Sequence, residues 1–130
     1  MVMVRFVDET TSGARGDGWH LEIFEERLPL RELIRRRVFQ EVAEHNARRP
    51  AVFRGLVQPG DTEATLNGRR PDAPRRVDAE EQFTRAVAAF GRNGFVVLVD
   101  DRQVDQLDTE VELRVGTEVC FLKLVPLVGG

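Results

Sequence analysis

The 130-residue sequence predicts an α+β fold, a mixed sheet with a packed helix, and three observations carry that prediction. Apolar residues alternate near both ends, at Val2, Val4 and Phe6 and again at Val111, Leu113 and Val115, which is the period of a half-buried strand. Two interior stretches repeat apolar residues at helical spacing instead. Val119 to Val125 has almost no polar residue except Lys123, as expected of a central strand covered on both faces. The length suits one compact domain, 1–130, and a hydrophobic share of 42% is enough for a real core.

Taken in order, Met1 to Val7 reads as a first strand, and Gly13, Gly16 and Gly18 among polar residues make the loop that follows. Trp19 to Phe24 is a second strand, with Trp19, Leu21 and Ile23 on one face, and the two strands fit a hairpin. Pro29 can begin a helix. Leu30, Leu33, Ile34, Val38 and Val42 then form one stripe to about Ala47, with Arg31, Glu32, Arg35 and Glu44 opposite, and Pro50 ends the pattern.

Residues 50–77 differ in texture. Val52, Phe53, Leu56 and Val57 suit a short strand or a turn, and Asn67-Gly68 suits a small hairpin within an arginine-rich insertion. Asp78 with Glu81 then makes a capping-box-like start to an extra helix reaching Arg92. Phe83, Ala86, Val87 and Phe90 line one of its faces, and Gly91 and Gly94 stop it. Phe95 to Val99 is a buried strand, Asp100-Asp101 a turn into 102–104, and 111–115 a half-exposed strand. Gly116-Thr117 turns the chain into the last strand, and Pro126 ends the ladder because it has no N–H to donate.

A formal net charge of −3 excludes the strongly basic profile of an obligate nucleic-acid binder. The nineteen Lys+Arg include a sole lysine, Lys123. The clusters Arg35-Arg36-Arg37, Arg69-Arg70 and Arg75-Arg76 lack interleaved aromatics, so a solvated helix face and a charged loop are expected. No apolar stretch nears the roughly 20 residues that span a bilayer, and no signal-peptide pattern is present, so a cytoplasmic protein is the expectation.

Conventional catalysis finds little support. His20 and His45 lack a metal-ligand pattern, no P-loop, dinucleotide or nucleophile-elbow motif occurs, and Cys120 sits in an apolar run where it is expected to pack. With one cysteine there is no disulfide framework. The chain is expected not to be an enzyme and to need no metal or cofactor of its own.

Gly129-Gly130 is the exception. Glycine makes up about 7% of average proteins, so two terminal glycines arise by chance in roughly one chain in two hundred. A carboxylate must be activated before it can be coupled, commonly as an acyl-adenylate. A tail entering an enzyme's nucleotide site must be thin and extended, which glycine permits. Here the tail would be a substrate rather than a catalyst.

The order of elements resembles the β-grasp of ubiquitin-like proteins. The segment from Leu107-Asp108-Thr109 through Gly116-Thr-Glu-Val-Cys-Phe121 to Pro126-Leu-Val-Gly-Gly130 is particularly similar to prokaryotic sulfur carriers of the ThiS and MoaD type. Those carriers are shorter and lack both the insertion and the extra helix. The enlarged body resembles the modifiers of bacterial ubiquitination-like operons. That resemblance implies adenylation of Gly130 by an E1-like activating enzyme using ATP, passage to an E2-like cysteine, and isopeptide conjugation to a target. It also implies a deconjugating metallopeptidase and, in some members, self-association, while the charge balance and the lack of a long apolar stretch lead to the expectation of no nucleic-acid and no membrane partner.

The alternative is a sulfur carrier whose C-terminus becomes a thiocarboxylate, and a plain interaction domain sharing the fold also stays open. For either of the first two, Leu124, Leu127 and Val128 are the expected E1-binding residues. Leu124 has the competing expectation of packing inside.

Overall fold

The computed structural model describes residues 1–48, 55–57 and 76–124. The expectations for Val52 and Phe53, for Asn67-Gly68 and for the tail 126–130 fall outside them. The fold is α+β. In chain order it has β1 (Val2–Thr10), β2 (Trp19–Ile23), β3 (Arg27–Pro29), α1 (Leu30–Arg48), α2 (Ala79–Gly91), β4 (Phe95–Val99), β5 (Arg102–Val104), β6 (Glu110–Glu112) and β7 (Glu118–Lys123). Two compact units result: Met1–Leu33 with Phe90–Gly130, and Ile34–Ala89.

In the first unit, five strands form a mixed sheet in the order β2-β1-β7-β4-β5. β1 and β7 run parallel at its middle, and the other pairs are antiparallel. Parallel first and last strands at the centre of such a sheet are consistent with a β-grasp-like arrangement. Alternation in β1 and β7 buries Val4, Phe6, Val119 and Phe121 on one face, beside Phe95 and Val97 of β4. Aromatic rings meet in sequence across that face. Trp19 lies edge-on to Phe6 at 5.6 Å between centroids, Phe6 is 5.9 Å from Phe121, Phe121 is 6.1 Å from Phe95, and Phe95 is 5.7 Å from Phe90. Such pairs contribute about 0.5–1.5 kcal/mol each beyond the area they bury.

The strands depart from the sequence expectation in three places. β1 continues past Val7 to Thr10, because Asp8, Glu9 and Thr10 pair with Phe121, Leu122 and Lys123 of β7. The loop after it folds back, with the Gly16 N–H donating to the Asp8 carbonyl at 2.8 Å. Gly18 closes that loop at φ +78°, and a Cβ there would lie 2.7 Å from the Phe6 carbonyl, so only glycine fits. β3 is a strand with no alternation to announce it. It pairs antiparallel with β6, setting buried Leu28 against buried Val111. Leu113 lies outside β6, its N–H donating instead to the Glu26 carbonyl at 2.8 Å. Beside this small sheet α1 begins, and its first N–H groups have partners. Those of Leu30 and Arg31 donate to the Thr109 and Leu107 carbonyls at 3.0 and 2.9 Å.

The second unit is built differently. In α1, Ile34, Val38 and Val42 are buried as their spacing predicts. Arg37 is buried as well, at 0% exposure. At Arg37 alone this corrects the expectation of a solvated arginine face, since the Arg35 side chain remains 41% exposed, and Glu41 is one partner that accommodates the buried charge. Arg37 Nε and Nη2 donate to Oε1 and Oε2 of Glu41, both at 3.2 Å, a charge-assisted two-point pair one helical turn away. Glu41 Oε1 also accepts the Leu56 N–H at 3.2 Å.

Further along α1, Asn46 clasps the backbone of Val77 at both ends. Its Nδ2 donates to the Val77 carbonyl at 3.0 Å, and its Oδ1 accepts the Val77 N–H at 2.9 Å. Asp78 caps α2 as expected, its Oδ1 accepting the Glu81 N–H at 3.1 Å. The buried residues of α2 are Ala86 and, unexpectedly, Gln82, whose Nε2 donates to the Val57 carbonyl at 3.0 Å. Among the described residues, no buried side-chain nitrogen or oxygen lacks a partner.

Candidate functional site

β7 carries both chemically interesting regions of the sheet unit. At its end, the Lys123 carbonyl accepts the Thr11 N–H at 3.1 Å, and the Leu124 N–H donates to Gly94 at 3.4 Å. The chain is therefore tied at both sides where it leaves the sheet. Leu124 is 42% exposed there, which decides between its two expectations in favour of the surface. The other expected site residues, Leu127, Val128, Gly129 and Gly130, lie outside the described residues.

The second region lies on the sheet face opposite the aromatic row, around Cys120. Its thiol donates to Glu9 Oε2 at 3.4 Å. Arg15 pairs with the same carboxylate at 3.3 Å and also with Glu118. The β1–β7 register builds this group, because Glu9 and Cys120 stand on neighbouring strands and Glu118 is two residues before Cys120 on its face. Arg15 arrives from the loop, through the backbone bridge between Glu9 and Arg15. Asp100 and Asp101, the two left-handed residues of the β4–β5 turn (φ 48° and 69°), complete the rim. Asp100 is fixed there by its Oδ1 accepting the Glu118 N–H at 3.0 Å. Together with Leu98 these residues line a cavity of about 380 Å³.

Chemically this group is quiet. Burial first, and then the hydrogen bond to Glu9, push the Cys120 thiol up to about 11, so it stays protonated at neutral pH and is a poor nucleophile. Among the described residues, no three His, Cys, Asp or Glu side chains are grouped to hold a metal ion. His20 is exposed on β2 and His45 is buried in α1. Also among the described residues, no helix is long and apolar enough to cross a membrane.

Sequence reasoning found Cys120 and its buried setting but missed Glu9, Arg15 and Glu118. A parallel β1–β7 pairing would have brought Glu9 to Cys120, whereas nothing in the composition of the loop aims Arg15 at them.

Compared with known protein families, with curated proteins and with solved structures, the chain has no match.

Proposed function

We propose that this protein is a ubiquitin-like modifier, activated at Gly130 by an E1-like enzyme and transferred to a target. The observation supporting this most is the route of β7. It occupies the middle of a β-grasp-like sheet, parallel to β1, and releases the chain at exposed Leu124 shortly before Gly129-Gly130. The chemistry requires Gly130 to carry the free α-carboxylate, whether as encoded or after processing.

One carboxylate oxygen attacks the α-phosphorus of ATP, forming the acyl-adenylate and releasing pyrophosphate. An enzyme thiolate then attacks the acyl carbon, with AMP leaving. A target amine displaces the thiolate, forming the amide and losing a proton. This chain supplies the acyl group and the surface that the activating enzyme grips, with Leu124, Leu127 and Val128 as its apolar part. ATP belongs to the activating enzyme. An E2-like enzyme and a deconjugating metallopeptidase are the further partners, in the cytoplasm.

The test is to incubate the full chain with an E1-like enzyme encoded beside it and ATP, and to measure intact mass. A Gly130-dependent adenylate or enzyme thioester is expected, and neither product forming would sink the proposal. A gain of one oxygen-to-sulfur exchange in cells under sulfur demand, without conjugates, would replace the modifier with the sulfur carrier. Leu127→Asp should lower the adenylation rate about ten-fold, as loss of one apolar contact predicts, without changing the melting temperature. Unfolding instead would make the tail structural.

A further inference from the structure

The five-stranded sheet ends on two unlike edges. β5 is only three residues long, with Arg102 and Gln103 exposed, and such short polar edges discourage pairing. β2 is five residues long with neither proline nor lysine, and among the described residues it pairs only with β1. An edge strand presents a row of outward N–H and C=O groups to any strand that fits it.

We infer that this edge pairs antiparallel with β2 of a second copy of the chain, about a two-fold axis through Leu21. Residues directly opposite in an antiparallel ladder point to the same face, so the permitted self-pairings centre on a residue. Centred on Leu21, the ladder sets Trp19 against Ile23 and His20 against Glu22, each twice by symmetry. Within each copy His20 lies beside Arg5 on β1, and Glu22 lies beside Met3. The row across the junction therefore runs Arg5, His20 and then Glu22 of the second copy, bringing cationic and hydrogen-bond-donating groups to a carboxylate. Histidine can donate to a carboxylate in either protonation state.

The neighbouring registers lack this match. Centring on Glu22 sets two carboxylates face to face, and centring on His20 sets two imidazoles face to face.

Junctions this small belong to the weak class of interfaces, below about 1,200 Å². Sedimentation velocity on the full chain at about 300 µM should therefore detect dimer. His20→Glu sets two carboxylates against each other across the junction, and Glu22→Arg replaces the accepting carboxylate with a guanidinium facing the Arg5–His20 row, so each should weaken association about ten-fold. The double variant should restore it, because the register then opposes unlike charges again. Both side chains are exposed, so circular-dichroism melts should be unchanged. A monomer at that concentration, or a dimer indifferent to both single substitutions, would overturn the inference.

Wild-type hydrogen exchange gives a readout that needs no variant: amides of 19–23 should gain protection as protein concentration rises. A concentration-independent β2 would sink the inference, as would a persistently monomeric chain whose β2 edge captured an extended peptide instead.

Discussion

In the sheet unit, five aromatic rings run in contact from Trp19 to Phe90 and nearly every fully buried side chain is apolar. The helical unit instead buries the guanidinium of Arg37 and the carboxamide of Gln82, and clasps Val77 with Asn46. The difference lies in how each interior specifies its structure. Apolar packing tolerates repacking as long as volume is conserved. A buried polar set has defined partners, and removing one leaves another unpaired in a poorly solvating place.

Substitutions can break or sharpen this contrast, starting with the largest effect. Phe121→Ala removes the ring at the centre of the aromatic row and should cost about 3–5 kcal/mol in urea unfolding followed by circular dichroism. A loss below about 1 kcal/mol would mean that the row is not the core of the sheet. Glu41→Ala should cost about 2–3 kcal/mol, because it takes the two-point carboxylate contact from Arg37 and leaves the Leu56 N–H without its acceptor. The double change Arg37→Met with Glu41→Leu should recover part of that loss, since well-packed apolar pairs commonly replace buried ion pairs without penalty while the Leu56 N–H still lacks its acceptor. Failure to recover would mean that the Leu56 contact matters more than the charge.

Asn46→Ala removes both bonds to Val77 and should cost about 1–2 kcal/mol, seen as faster amide exchange at Val77 and at the start of α2. The smallest effect concerns Cys120, whose native thiol titrates at about 11, above its ordinary value of 9.0. Above pH 9 the unfolded chain gives up this proton while the native chain keeps it. Stability from this group is therefore complete below about pH 9 and falls as pH rises toward 11. Cys120→Ser should remove that part of the slope in calorimetric melts, and an unchanged slope would mean that the thiol does not feel its burial.

The same contrast explains what was legible in the sequence. Periodicity reports apolar burial, so β1, β4, β7 and the Leu30–Val42 stripe were all readable from it. It could not report Arg37 or Gln82, whose burial depends on partners at Glu41 and Val57 rather than on their own chemistry. β3 escaped because three residues ending in proline cannot display a period, and its pairing with β6 spans most of the chain. Of the candidate site, the exposure of Leu124 was one of two open expectations. The Cys120 group went unseen because it needs the register between strands as well as the residues within them.

The parallel pairing of β1 with β7 has a consequence for biogenesis. Arg5 and Glu118 are register partners although more than a hundred residues separate them. Contacts of that span slow folding, since a long loop must close before they form. On the ribosome, β1 and β2 emerge one after the other and can meet at once, but the second side of β1 stays bare until β7 has left the exit tunnel. The nascent sheet therefore exposes an adhesive margin until β7 arrives, and the sheet closes only when that strand docks.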